Sequence, residues 1–79
     1  MISKRIRLPI YEMVINLHSE GDVEIKSNFG TGNTKKFKQV VDGIELLVLS
    51  HFRSGIDIQN PLYIKGISDS VESAKMLYN

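Results

Sequence analysis

The strongest constraint on the fold of this chain is a pair of alternating apolar segments on either side of Ser19–Gly21. Residues 6–18 (IRLPIYEMVINLH) and 22–29 (DVEIKSNF) are rich in β-branched and aromatic residues, which favour strands. The three-residue loop ends in glycine, which adopts the positive φ that a tight hairpin needs. Pairing about this loop aligns apolar residues on one face: Leu17 with Val23, Ile15 with Ile25, and Tyr11 with Phe29. We therefore predict an antiparallel hairpin with this register and a solvated opposite face.

The apolar positions change parity within the first segment. Met13, Ile15 and Leu17 are odd-numbered, whereas the apolar positions before them are even-numbered: Ile6, Leu8 and Ile10. A one-residue shift of this kind predicts a β-bulge near Tyr11–Glu12. Residues 3–10 would then overhang the second strand and need another partner. The candidates are a short third strand at Ile56–Ile58 and a strand from a second subunit.

The first predicted helix runs from about Lys35 to Ser54, with Thr34 or Asn33 as its N-cap and Gly55 as its stop. Its apolar stripe contains Phe37, Val40, Val41, Ile44, Leu47, Val48 and Phe52. Leu46 and Leu49 lie outside the stripe, so we expect this helix to be buried on two sides.

The second predicted helix begins with Asn60 as N-cap and Pro61 at its first position. Its stripe contains Ile64, Ile67, Val71, Ala74 and Tyr78. Small residues in both helices predict that the helices cross closely: Gly66, Ser70 and Ser73 in the second, and Gly43 and Ser50 in the first. The predicted fold class is α+β, an antiparallel β-hairpin packed on two antiparallel helices, in one domain spanning 1–79.

Composition removes several classes of protein. The 79 residues include no cysteine, which excludes disulfides and thiolate-bound zinc. No segment approaches the roughly 20 apolar residues of a membrane span, and no signal-peptide apolar region follows the N-terminal charges. We expect a cytoplasmic protein without a membrane partner. A core this small favours burial by self-association.

A catalytic or metal site is not predicted. Ser50, His51, Ser54 and Asp57 supply the residue types of a hydrolytic triad, but Ser50 and His51 are adjacent on a helix and point about 100° apart. No nucleophile-elbow glycine pattern surrounds either serine. The two histidines lack metal-ligand spacing. We therefore predict neither catalytic residues, nor a metal, nor a cofactor.

A basic surface is the first candidate for binding. The segment FGTGNTKKFK, residues 29–38, leads a glycine-containing loop into a helix start, where N–H groups can hold an anion. It lacks the Walker A ending. The helix dipole disfavours cations in the first turn of a helix. Lys35, Lys36 and Lys38 therefore indicate an anionic partner. The alternative is that this turn is only solvated and binds nothing. Lys4, Arg5 and Arg7 on the first strand extend this basic surface towards phosphate or an acidic protein.

Surplus apolar residues are the second candidate for binding. An 8.9 kDa monomer has difficulty covering all of its apolar side chains, and exposed apolar patches mark interfaces. The predicted interface residues are Ile6, Leu8, Ile10, Leu46, Leu49, Met76 and Leu77. We expect a homodimer first, because most soluble oligomers are symmetric, and a docking face for another protein second.

Residues 42–67, DGIELLVLSHFRSGIDIQNPLYIKGI, resemble a pattern in small uncharacterised reading frames of phages and prophages. There an Asp-Gly-(Ile/Leu)-Glu helix ends at a histidine, and Gly-(Ile/Val)-Asp and a Ser/Asn-Pro helix start follow. The resemblance covers about a third of the chain and carries no assigned chemistry. It implies an accessory protein that blocks a host protein or protein–nucleic-acid complex. The prediction is a non-enzymatic, anti-CRISPR-like inhibitor that acts by steric occlusion; the alternative is a small nucleic-acid-binding regulatory protein.

Overall fold

Three strands followed by two helices make up the fold. The computed structural model describes residues 2–8, 11–18, 22–29 and 34–78. The elements are β1 (Ile2–Leu8), β2 (Tyr11–Leu17), β3 (Val23–Phe29), α1 (Lys35–Arg53) and α2 (Pro61–Tyr78). The strands form one antiparallel sheet in the order β1-β2-β3. The α+β class is confirmed, and the sheet has a third strand.

The predicted hairpin register is confirmed between β2 and β3. Leu17 lies opposite Val23, Ile15 opposite Ile25 and Tyr11 opposite Phe29. Odd-numbered residues of β2 point to the helices and are buried at Tyr11, Met13 and Ile15. The loop that was predicted to join these strands, residues 19–21, lies outside the described residues.

The predicted bulge is wrong, because the chain reverses direction between β1 and β2. β1 folds back on β2 with Leu8 opposite Tyr11, and the pairing continues without a break to Ile2 opposite Leu17. Paired residues of an antiparallel hairpin share a face, so even-numbered residues of β1 share a face with odd-numbered residues of β2. The parity change therefore marks the reversal of the chain. Pro9 and Ile10 lie outside the described residues.

The predicted third strand at Ile56–Ile58 is also wrong. The overhanging residues pair within the chain, because β1 is itself the third strand. Residues 56–60 instead connect the helices, where the Asp57 carbonyl accepts the Asn60 N–H at 3.2 Å. Ile58 is only 1 % exposed, so this connection inserts one side chain into the core.

Capping interactions fix both ends of α1. The Thr34 hydroxyl accepts the Phe37 N–H at 3.1 Å, which identifies Thr34 as the N-cap. At the other end Gly55 has φ +83°. Its N–H donates to the Phe52 carbonyl at 3.1 Å, and the Ile56 N–H donates to the His51 carbonyl at 3.0 Å. This pair of bonds is a Schellman motif, which favours glycine at the left-handed position.

The second helix matches its prediction closely. The Asn60 side-chain oxygen accepts the Leu62 N–H at 2.9 Å, as an N-cap does. Ile67, Val71 and Ala74 are buried, and Ile64 and Tyr78 are half-buried against the core. Among the described residues the buried core consists of Ile6, Tyr11, Met13, Ile15, Phe37, Val41, Val48, Ile58, Ile67, Val71 and Ala74.

Two expectations about helix packing are wrong. Helix α1 is buried along one side: Leu47 is 49 % exposed and Leu46 is 65 % exposed. The small residues do not form the crossing of the helices, because a Cβ atom added at Gly43 or Gly66 meets no atom within 4 Å. Ser50, Ser70 and Ser73 are exposed as well. These positions face outwards and leave the helix backbones accessible.

The Tyr11 side chain ties the sheet to α1. Its hydroxyl donates a hydrogen bond to the Glu45 carboxylate. Burial raises the pKa of the Tyr11 phenol well above its usual range, and the hydrogen bond to Glu45 raises that pKa further. The folded protein therefore retains this proton at a pH where the unfolded chain loses it.

Gly43 within α1 and Gly55, which follows the C-cap Ser54, test the backbone assignment in opposite directions. Gly43→Ala should raise the free energy of unfolding by ~0.5–1 kcal/mol, because alanine is the better helix former and its Cβ has open space. Gly55→Ala should lower it by ~1–2 kcal/mol, because φ +83° strains an L-residue. Urea denaturation measures both, and equal signs would contradict the assignment.

The raised pKa of Tyr11 makes stability fall in alkali. Above about pH 10 the unfolded chain releases the phenolic proton while the folded chain keeps it, so rising pH favours unfolding. Tyr11→Phe should lower the free energy of unfolding by about 1 kcal/mol at neutral pH through the lost hydrogen bond. It should also reduce the additional loss above about pH 10. An undiminished alkaline loss in urea titrations of the variant would rule out Tyr11 as its source.

Candidate interaction surface

The residues of the hypothetical triad have other partners. His51 Nδ1 and the Tyr63 hydroxyl share a hydrogen bond of 2.7 Å, and the two rings meet edge-on with centroids 5.5 Å apart. Burial raises the pKa of the Tyr63 phenol. The Asp57 carboxylate accepts the Gln59 N–H at 3.0 Å. These contacts join the end of α1 to the start of α2 and shape the connection between them.

Among residues 2–8, 11–18, 22–29 and 34–78, no three His, Cys, Asp or Glu side chains cluster as a metal site would require. Neither α1 nor α2, the helices of the described part of the chain, has the length and apolarity to cross a membrane.

Two of the three lysines at the start of α1, Lys36 and Lys38, have partners within the chain. The Lys38 ammonium donates to both carboxylate oxygens of Asp42, at 3.3 and 3.1 Å. The Lys36 ammonium lies 5.9 Å from the centre of the Tyr78 ring, a cation–π distance. Lys35 is exposed in the same turn. The glycine-containing loop before them, residues 30–33, lies outside the described residues.

The basic residues of β1 do not form one surface. Strand alternation puts Lys4 on the face towards the helices, beside buried Ile6, and puts Arg5 and Arg7 on the open face. Arg7 pairs with Glu12 at 3.0 Å. The predicted combination of Lys4 with both arginines is therefore divided between two faces.

The open face of the sheet carries both signs of charge. Besides the Arg7–Glu12 pair, Lys26 contacts Glu24 at 3.1 Å and His18 contacts the same carboxylate at 3.7 Å. The hydrogen bond from Lys26 is the main reason that the pKa of Glu24 is lowered. Because cations and anions alternate here, this face presents no uniform potential to a polyanion.

The predicted apolar interface is only partly exposed. Leu46, Met76 and Leu77 are exposed, at 65 %, 84 % and 74 %. Ile6 is fully buried in the core, so it offers no surface to a partner, which corrects its assignment. Leu8 and Leu49 are half-buried against that core. Ile10 lies outside the described residues.

Most of the exposed large apolar side chains of the described residues lie on the two helices, and Ile2 and Ile56 lie elsewhere. Val40 of α1 and Leu77 of α2 line an open groove of about 470 Å³ between the helices, together with Ser70, Ser73 and Ala74. Met76 lines a neighbouring hollow with Ser73 and Leu77. Leu47 lies two turns beyond Val40 on the same side of α1. We call this surface the groove face and define it by Val40, Leu47, Leu62, Met76 and Leu77, which are 37–84 % exposed.

Sequence reasoning missed part of the groove face. Val40 and Leu47 were assigned to the buried stripe of α1, and Leu62 was not considered, although it is 81 % exposed. The periodicity of α2 contained the missing signal. Leu62 lies two residues before Ile64, about 200° around the helix, which is nearly opposite the buried stripe.

The fold and this surface define a small α+β domain with one open sheet face and an apolar groove across its helices. Comparisons with protein-family models, with curated proteins and with solved structures found no match to this chain.

Lys35 tests whether the lysines cost helix stability. The first turn of α1 has no acidic residue. Lys35→Glu should raise the free energy of unfolding by ~0.3–1 kcal/mol, because a carboxylate favours the positive end of the helix dipole. Lys75→Glu, in the last turn of α2, is the matched control with the opposite expected sign. Denaturation at low and high salt measures both changes, and a destabilising Lys35→Glu would contradict the argument.

Proposed function

We propose that this chain is a non-enzymatic binding protein of the cytosol that contacts another protein through the groove face. The observation that carries the proposal is the exposure of five large apolar side chains on one side of a molecule with 5147 Å² of accessible surface. Soluble monomers scatter such residues singly, and a contiguous exposed patch marks an interaction site.

The distribution of charge supports a protein partner over a nucleic acid. Net charge is +1, and four cations of the described residues have carboxylate partners: Arg7 with Glu12, Lys26 with Glu24, Lys38 with Asp42, and Lys65 with Asp69. Affinity for nucleic acid arises largely from cations that displace counterions from phosphates. Cations that already neutralise carboxylates contribute less to that term.

The resemblance of residues 42–67 to small phage and prophage reading frames supports a narrower form of the proposal. The partner is then a host defence protein or protein–nucleic-acid complex, and the mechanism is steric occlusion. Occlusion requires tight contact and no chemistry, which fits an apolar surface of this kind. The alternative is a small nucleic-acid-binding regulatory protein.

Matched variants test the groove face as the contact surface. The immobilised protein is exposed to a bacterial host lysate, and retained proteins are quantified. Leu77→Glu should abolish retention of the specific partner, because it places a charge in an apolar contact. Ile2→Glu, at a residue of β1 that is 54 % exposed and lies outside the groove face, should retain it. Loss with Lys35→Glu and not with Leu77→Glu would instead assign recognition to the basic start of α1.

The nucleic-acid alternative has its own test. Fluorescence anisotropy with labelled duplex DNA, single-stranded DNA and RNA, each at low and near-physiological salt, should detect no binding. Binding that weakens steeply with salt would overturn the protein-binding proposal, because that slope reports contacts to phosphates.

A further inference from the structure

We propose that the groove face binds a second copy of this chain, forming an antiparallel dimer in which Leu62 of each copy enters the groove of the other. This inference rests on the protein-binding role proposed above, and it makes a second copy the occupant of the groove face, with which a different protein would have to compete.

Leu62 is the protruding element of the contact. It is the second residue of α2, and its side chain is 81 % exposed. Its N–H is held by the Asn60 side chain at 2.9 Å, so the start of the helix is fixed. A large apolar side chain at a capped helix start is well placed to insert into another surface.

The groove is the receiving element. Val40 and Leu77 form its apolar walls, and Ser70, Ser73 and Ala74 lie between them. Small side chains there leave about 470 Å³ of open space, which is ample for one leucine side chain. Insertion of a large side chain between the residues of a facing helix is the usual mode of close helix packing.

Both elements lie on α2, which makes the surface self-complementary. Leu62 and Ala74 are 12 residues apart, or ~18 Å along the helix. A two-fold axis perpendicular to α2 at the level of Ser68 brings Leu62 of one copy level with Ala74 of the other. The same axis forms the second, identical contact at once, as in an isologous interface. It also places Gly66 opposite Ser70, where a missing Cβ permits close approach of the two helices.

The charges beside the groove suit this arrangement. Lys65 and Asp69 of one copy pair at 3.5 Å and are both exposed. About the same axis, Lys65 of one copy lies within ~3 Å, along the helix direction, of Asp69 of the other. Each ammonium therefore lies near two carboxylates at the rim of the contact, which gives the antiparallel orientation complementary charge.

The size of the surface is sufficient for a dimer. Helix α2 has 18 residues, so the helical hairpin is ~27 Å long and ~20 Å wide, with a projected area of about 540 Å². The accessible area of a corrugated surface exceeds its projection. The accessible area that each copy would bury thus approaches the roughly 600–800 Å² that each partner contributes to a stable interface.

The test is a charge-rescue experiment. Sedimentation equilibrium of the purified protein, over a wide range of concentration, measures the dissociation constant of the dimer for each variant. The wild-type chain should be dimeric. Leu62→Glu should weaken the dimer by at least ~30-fold for each of its two symmetry-related contacts. Adding Ser73→Lys to that variant should restore much of the affinity, because the introduced charges meet only across the dimer. Within one chain residues 62 and 73 are three turns apart.

Controls separate association from folding. Circular dichroism melts establish that each variant is folded, and Ile2→Glu in β1, outside the helical layer, should leave the dimer intact. A monomeric wild-type chain, a dimer unaffected by Leu62→Glu, or a folded double variant without rescue would each overturn the dimer. The proposed function is tested separately from the dimer, because it depends on whether Leu77→Glu abolishes capture of a different protein.

Discussion

The register of the three-stranded sheet is the constraint on which the rest of the structure depends. Pairing of Leu8 with Tyr11 and of Tyr11 with Phe29 puts one set of alternate residues from every strand on the same face. That face must be covered, and α1 and α2 cover it with one side each. A single helical layer on a single sheet leaves two faces open. The open sheet face is polar and charge-balanced, whereas the groove face is apolar, so the groove face carries the functional argument.

The sequence correctly predicted those parts of the fold that a single local pattern determines. The β2–β3 register followed from alternation, and the helix ends followed from Thr34, Gly55 and Asn60, whose backbone roles are local. The reversal of the chain between β1 and β2 was missed because apolar residues continue from Leu8 to Tyr11. The hydrophobicity of the sequence therefore does not mark where β1 ends. The parity change contained the information, but a bulge and a reversal produce the same shift.

The candidate site was harder to predict, because exposure depends on which side of each helix finds a neighbour. Met76 and Leu77 were identified because they lie outside the stripe of α2. Val40 and Leu47 were misplaced, since they border the stripe of α1 and only tertiary packing determines which border is covered. Lys4 and Arg5 were grouped by proximity in sequence, although adjacent strand residues point to opposite faces.

The central claim is that the groove face is the contact surface. The most direct test is to record backbone and methyl NMR spectra of the full chain at each concentration of a dilution series. A dimer through the groove face should give concentration-dependent shifts at Val40, Leu62 and Leu77 and along Gly66–Ser73, with the open sheet face unchanged. Shifts clustered instead at Arg5, Asn16 and Lys26 would contradict it, because the contact surface would then be the sheet.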